Sequence, residues 1–318
     1  MDEKPDLKNP WLVAVWPGMG QVALSAGYYL MAKLGMHLFG EFSASEWFDV
    51  ESVDVKNGLI QSKRLPRSRF FASKSGELKQ DVIVFIGEAQ PSHGKYAFCR
   101  HLIEFAQGLG VQRVFTFAAL ATSMRPEHDS RTFVAAIDSA SLAELERLDV
   151  SVLKDGHIGG LNGTLLGAAA EAGLRGGCIL GEMPRLFSHL PFPKASLSVL
   201  DVFSQLSQIE IDTSELSEQA RAVDAKLGEI LSQMEGMVEQ EEIAEQQEIP
   251  ESEFQEEVTP PAPPEKKVER KDRALVSRLF EEARKDRTKA YELKQELDRL
   301  GIFQEYEDRF LDLFKNPE

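Results

Sequence analysis

The chain has only two cysteines, Cys99 and Cys178, and both sit in apolar sequence with no CxxC spacing. That excludes a disulfide framework and a dithiol metal or redox pair as organising features. Its six histidines are scattered singly and give no metal-ligand spacing. Positive charge is scarce: 36 Lys and Arg stand against 52 Asp and Glu, for a formal net charge of −16. Nucleic-acid binders neutralise phosphates with cations, so this balance points to no nucleic-acid partner. No apolar run approaches the roughly 18–20 residues of a membrane helix, and the polar opening MDEKPDLKNP is unlike a secretory signal. The expectation is a cytoplasmic protein without a membrane partner.

Enzyme signatures are missing too. A Walker-type phosphate loop needs Lys followed by Ser or Thr after its glycines, whereas Gly163 is followed by Thr164 and Leu165. The dinucleotide pattern G-x-G-x-x-G does not occur in the glycine-rich stretch, which reads G-x-x-G-G-x-x-G. Ser92 has no G-x-S-x-G context, and Cys99 lies within an apolar helical pattern that suits core packing. No catalytic residue, cofactor or metal is assigned from the sequence.

What the sequence does contain is alternation. WLVAV (11–15) is an apolar run ended by Trp-Pro-Gly and followed by QVALSAGYYLMAKLG, which has helical spacing. DVIVFIG (81–87) followed by YAFCRHLIEFAQGLG repeats the scheme; VQRVFTFAAL (111–120) and TFVAAID (132–138) before SLAELERL extend it. Short β-rich runs alternating with amphipathic helices predict an α/β fold with a largely parallel sheet. GLIQSKRLPRSRFFAS (58–73) alternates less cleanly and reads as a hairpin or edge strands. Trp11, Trp16 and Trp47 read as core or interface anchors.

Farther along, Asp212-Thr213-Ser214 offers N-cap chemistry for a helix over about 213–238. Its apolar positions Leu216, Ala220, Val223, Leu227, Ile230, Met234 and Met237 recur at 4-3 spacing, the seam of a coiled-coil helix. That seam fits either a helix capping its own domain or a contact between copies. From Leu227 to Glu265 the chain carries twelve Glu and no Lys or Arg, so twelve of the sixteen excess negative charges fall in one stretch. Residues 241–266, rich in Glu, Gln and Pro, read as a disordered linker. Residues 267–318 read as a small, densely charged helical module with Gly301 as a C-cap, after an α/β domain at 1–240. A module this small holds little core of its own, so Phe303, Tyr306, Phe310, Leu313 and Phe314 are expected to pack on the preceding helix or a partner.

GHIGGLNGTLLGAAAEAG (156–173) is the most glycine-dense stretch. Gly160, Gly163, Gly167 and Ala170 share one helical face, and a face without side chains permits close packing. The other reading is a turn whose helix amides face an anion or small ligand. Packing explains more of the glycines.

The order of short motifs carries a resemblance: PGMG (17–20), GEAQPSHGKYAF (87–98), GVQRVFTFAAL (110–120), the glycine stretch, EMP (182–184), PFPKASLSVLDVF (191–203) and IDTSEL (211–216). Over about residues 8–238 the chain resembles the proteasome assembly chaperone two family of archaea and bacteria. The resemblance implies a three-layer α/β/α sandwich like that of the purine nucleoside phosphorylases. It also implies self-assembly into homo-oligomers and, in eukaryotic and some archaeal members, help in assembling proteasome subunits. Some members end in a hydrophobic-Tyr-any tail, whereas this sequence ends Lys315-Asn316-Pro317-Glu318.

Two functional classes follow. The first is a non-enzymatic oligomeric scaffold or assembly chaperone that binds itself and a client protein, with Leu216, Val223, Leu227, Ile230 and Met234 on its oligomer or packing helix. The second is an enzyme of phosphorylase-like fold acting on a small phosphorylated or nucleoside-type ligand. Its site would lie at the carboxyl edge of the sheet, built from Gly18, Gly20, Glu88, His93, Lys95, Gly156, His157, Gly159 and Gly160, with Glu182 nearby. The missing catalytic constellation favours the first.

Overall fold

Alternating apolar side chains bury both faces of one central sheet. The computed structural model describes residues 5–49, 52–61, 64–73, 76–245 and 270–315. The strands are β1 (Trp11–Val15), β2 (His37–Glu41), β3 (Asp54–Lys56), β4 (Leu59–Gln61), β5 (Ser68–Ala72), β6 (Val82–Gly87), β7 (Arg113–Thr122), β8 (Thr132–Ala136), β9 (Ser151–Val152) and β10 (Arg175–Pro184). Eight of them form a sheet in the order β2-β5-β6-β1-β7-β10-β8-β9. Its four central strands β6, β1, β7 and β10 are parallel. The flanks depart from the expected parallel pattern: β5 pairs antiparallel with β6, β2 with β5, and β8 with β10.

On β1, Trp11, Val13 and Val15 enter one apolar cluster while Leu12, Ala14 and Trp16 enter the other. A strand buried on both faces needs a continuous apolar run, and WLVAV supplies it. One face is covered by α1 (Val22–Lys33) and α5 (Pro193–Ser207), the other by α2 (Lys95–Gly108) and α4 (Gly160–Glu171). The short α3 (Ser139–Leu145) lies beside β8 and is capped by Asp138, which accepts a hydrogen bond from the Ser141 amide at 2.8 Å.

The hairpin begins upstream of the stretch expected for it, with β3 before residue 58 and β4 within 58–73. β3 and β4 pair through Asn57-Gly58, both at positive φ (51° and 75°), the backbone a two-residue turn requires.

The long helix α6 (Ser214–Glu245) extends past both the expected helix end and the expected start of the linker. Residues 246–269, most of that expected linker, lie outside the described residues. Beyond them come α7 (Arg270–Lys285), α8 (Ala290–Leu300) and α9 (Phe303–Leu311); α8 and α9 fold against α1, and α7 packs on α8. Edge-to-face ring contacts join Tyr28 to Phe303 and Phe310, and Tyr29 to Tyr291.

The glycine face of α4 is not where that helix packs. Its buried side chains are Leu161, Leu165, Leu166, Ala168 and Ala169, whereas Gly167 is exposed and a Cβ there would meet nothing within 4 Å. Gly163 alone of the interior pair is crowded: a Cβ there would collide with the Ile158 carbonyl oxygen. Close packing is thus a local contact between helix and preceding loop, not a stripe along the helix.

Candidate functional site

Parallel strands place the ends of β6, β1, β7 and β10 at one edge. β1 lies between β6 and β7, so the chain leaves it in a crevice where strand order reverses, the place open α/β sheets hold ligands. The Pro17–Gly20 turn occupies that crevice. Gly20 adopts φ 60°, its amide donates to Ser188 O at 2.8 Å, and its carbonyl accepts from the Phe192 amide at 2.9 Å. A Cβ on Gly20 would come within 2.7 Å of Met183 Sδ. Gly20 therefore fixes the turn, while Gly18 has open space beside it.

Two clefts flank the turn. One, of about 510 Å³, is lined by Gly18, Gly156, His157, Gly159, Gly160, Gln90 and Asn162 among others. The structure thus brings together five of the sequence-predicted residues. Gln90 Nε2 donates to Pro17 O at 3.3 Å, and the N-terminus of α4 at Gly159 has no side-chain cap. The other cleft, of about 540 Å³, runs between Gly18, Tyr28 and Glu88 on the core and Lys294, Phe303 and Glu307 on the C-terminal module.

Of the remaining predicted residues, Glu88 lines the second cleft with Gly18, while Gly20, His93 and Lys95 line neither. His93 is exposed and meets Asp49 Oδ2 at 3.2 Å; Lys95 is exposed at the start of α2, and neither lines a described cleft. Glu88 is clamped by Arg69 Nη1 at 2.7 Å, Arg64 Nη1 at 2.8 Å and the Arg67 amide at 2.8 Å. Glu182, only 2% exposed, accepts two hydrogen bonds from Arg131, both at 2.7 Å, and one from Thr122 Oγ1 at 2.7 Å. The Arg131 guanidinium holds the Glu182 carboxyl below its ordinary range despite burial. A carboxylate kept ionised this way is a poor proton carrier at neutral pH. Burial pushes both Cys99 and Cys178 up to about 12, so neither thiol supplies a thiolate. Among the described residues no group of three or more His, Cys, Asp or Glu is arranged to hold a metal ion.

What the edge offers instead is uncovered apolar surface. A groove of about 740 Å³ is lined by Met124, Pro126, Pro184, Leu186, Phe187 and Leu231 with flanking polar residues. Leu186 in its lining is 57% exposed, and Met19 and Leu190 are exposed elsewhere on the chain. On α6 the heptad seam divides. Leu216, Ala220 and Leu227 are buried on the chain's own domain and Val223 is half-buried, but Ile230, Met234 and Met237 are 41%, 43% and 63% exposed. The hairpin adds exposed Val55, Leu59 and Ile60. Ion pairs from Lys194 to Asp224 and from Arg125 to Glu235, each 2.7 Å, fasten α6 to the core, the second within the stretch where the seam is bare.

Sequence reasoning missed the charged cluster around Glu88. Its arginines stand in plain view in RLPRSR (64–69), but their partner Asp308 lies more than 200 residues away, and no local signal links the two.

Comparison with known proteins places the fold. Residues 12–231 match the PAC2 family. An uncharacterised protein of Methanocaldococcus jannaschii is 25% identical over 221 residues, 69% of this chain and 81% of that one. Among solved structures, the chain is similar to Pyrococcus furiosus PbaB, described as an archaeal proteasome activator: TM-score 0.60, 25% identity, covering 73% of this chain and 96% of that one. A proteasome-assembly chaperone homologue of Mycobacterium tuberculosis shares the fold at TM-score 0.60 and 21% identity, over 69% of this chain and 94% of the other. The family match ends at residue 231, before the C-terminal module begins.

Proposed function

Because the chain belongs to the PAC2 family, we propose that it is a non-enzymatic, assembly-chaperone-like scaffold of the cytoplasm that binds a protein client and associates with itself. The observation that carries this reading is the apolar surface left bare on an otherwise well-buried fold. Ile230, Met234 and Met237 recur along one seam of α6, and exposed Leu186 lines the neighbouring groove with Met124 and Phe187. Contiguous apolar surface on a soluble domain marks contact with another protein. Leu231, which lines that groove, joins it to α6. The similarity to PbaB, named as a proteasome activator, supports a protein partner of the same general kind.

A second reading keeps the phosphorylase-like fold with a small ligand in the cleft around Gly18, His157 and Gly160. The uncapped start of α4 is the feature that favours it. Of the residues expected there, only His157 could carry a proton within the cleft, since Glu88 and Glu182 are held in ion pairs and His93 and Lys95 stand outside it.

Light scattering on the purified chain tests the first reading. We expect a mass that is a multiple of 35.5 kDa; a 35.5 kDa particle at every concentration would contradict it. A thermal-shift series with inorganic phosphate and purine nucleosides tests the second, which predicts a concentration-dependent rise in melting temperature.

A further inference from the structure

The C-terminal module covers a surface that the shared fold leaves in need of a cover. Nine of the twelve residues of α1 are buried. A helix apolar on all sides must be enclosed on all sides. The sheet and α5 enclose part of α1, and the rest meets α8 and α9. Yet the family match ends at residue 231, before the module begins.

The contact has the character of a docked interface. Phe303, Glu307, Phe310 and Phe314 fall at i, i+4, i+7 and i+11, one face of a helix. The aromatic members meet Tyr28 and Phe71, at centroid distances of 5.4 Å, 5.7 Å and 6.2 Å. Between them Glu307 accepts a hydrogen bond from the Tyr28 hydroxyl at 2.9 Å. Asp308 then enters the arginine cluster of the core, at 2.6 Å from Arg69, 3.1 Å from Arg64 and 3.5 Å from Arg67. Leu293, Leu297, Phe310 and Phe314 are buried in one cluster with α1, but around that apolar seam charged groups face each other across the contact and a cleft of about 540 Å³ remains open along it. Such mixed, imperfectly filled contacts are typical of surfaces that associate and separate.

We propose that the α1 face, with Arg64, Arg67 and Arg69 beside it, is a docking surface for an amphipathic helix of a partner protein. That helix carries aromatics at i, i+7 and i+11 with a carboxylate pair between the first two. In this chain the C-terminal module occupies the surface in cis and competes with such a partner. The inference is independent of the assembly role, because it concerns a different face from the α6 seam.

The probe is a fluorescently labelled peptide of residues 298–315, added to the full-length chain and followed by anisotropy. Full-length Asp308→Ala/Phe310→Ala, which loosens the module, is expected to bind it at least tenfold more tightly than the unaltered chain. Adding Arg69→Ala to that variant should remove the gain. Equal affinity for the two chains would overturn the proposal, as would a loosened variant without a cooperative melt, because the module would then be integral to the fold. A second measurement needs no substitution in the interface. A protease site is inserted within residues 246–269, and the cut chain is incubated with the labelled peptide. Exchange of peptide for module on gel filtration supports docking, and absence of exchange overturns it.

Discussion

Asp138 shows how one side chain links local structure to solution conditions. It caps α3 through the Ser141 amide and hydroxyl, at 2.8 Å and 2.6 Å, and stands 3.5 Å from Arg175. Burial alone would raise its carboxyl, but the Ser141 hydrogen bonds and Arg175 lower it to about 2. A carboxyl depressed in the folded state adds stability above its unfolded value near 4, and that stability is lost as pH falls through the folded value. Asp138→Ala should therefore cost about 1 kcal/mol at pH 6. The gap between the two proteins in urea melts should narrow as pH drops from about 4 towards 2. The glycines of α4 make a paired test at the same scale. Gly167→Ala, exposed and open, should stabilise by about 0.4–1 kcal/mol. Gly163→Ala should instead destabilise by about 1–3 kcal/mol, because its Cβ meets the Ile158 carbonyl. Thermal melts of the two variants should move in opposite directions.

At the scale of elements, the heptad seam of α6 belongs to two environments. Leu227, 4% exposed, closes the chain's own core, while Ile230 one helical turn later is open to solvent. Leu227→Asp would bury an unpaired carboxylate and should cost about 3 kcal/mol or more, seen as a lower midpoint in denaturant. Spacing alone announced the seam but not where it leaves the domain. That boundary depends on contacts between segments far apart in sequence, such as Lys194 to Asp224 and Arg125 to Glu235. The same limit explains the sheet. WLVAV, DVIVFIG and VQRVFTFAAL were legible as strands because burial on both faces demands unbroken apolar runs. The antiparallel flanks were not, since the direction of β5 and β8 is set by pairing partners rather than by their own residues. Asn57-Gly58 is a readable local turn signal that straddles the start of the 58–73 stretch, whose reading as a hairpin or edge strands left the first strand, β3, outside it.

Across the whole molecule, the sequence showed which residues follow the strands, but not which of them converge. Gly18, Gly156, His157, Gly159 and Gly160 do meet around one cleft. His93 and Lys95, equally placed after a strand, do not, because the chain turns from the edge into α2 and leaves them in solvent. The C-terminal helices were legible as charged and amphipathic, yet their seat on α1 rests on ring contacts and ion pairs spanning more than 200 residues. Helices cover both faces of the sheet, and the apolar edge is the surface proposed for contact between proteins. The most direct test of that contact is sedimentation of the full-length chain against Ile230→Asp/Met234→Asp/Met237→Asp. These exposed positions make no core, so circular dichroism and the thermal midpoint should be unchanged. The account predicts that the triple variant falls to a 35.5 kDa particle while the unaltered chain sediments as a multiple of it. A folded triple variant of unchanged assembled mass would contradict it.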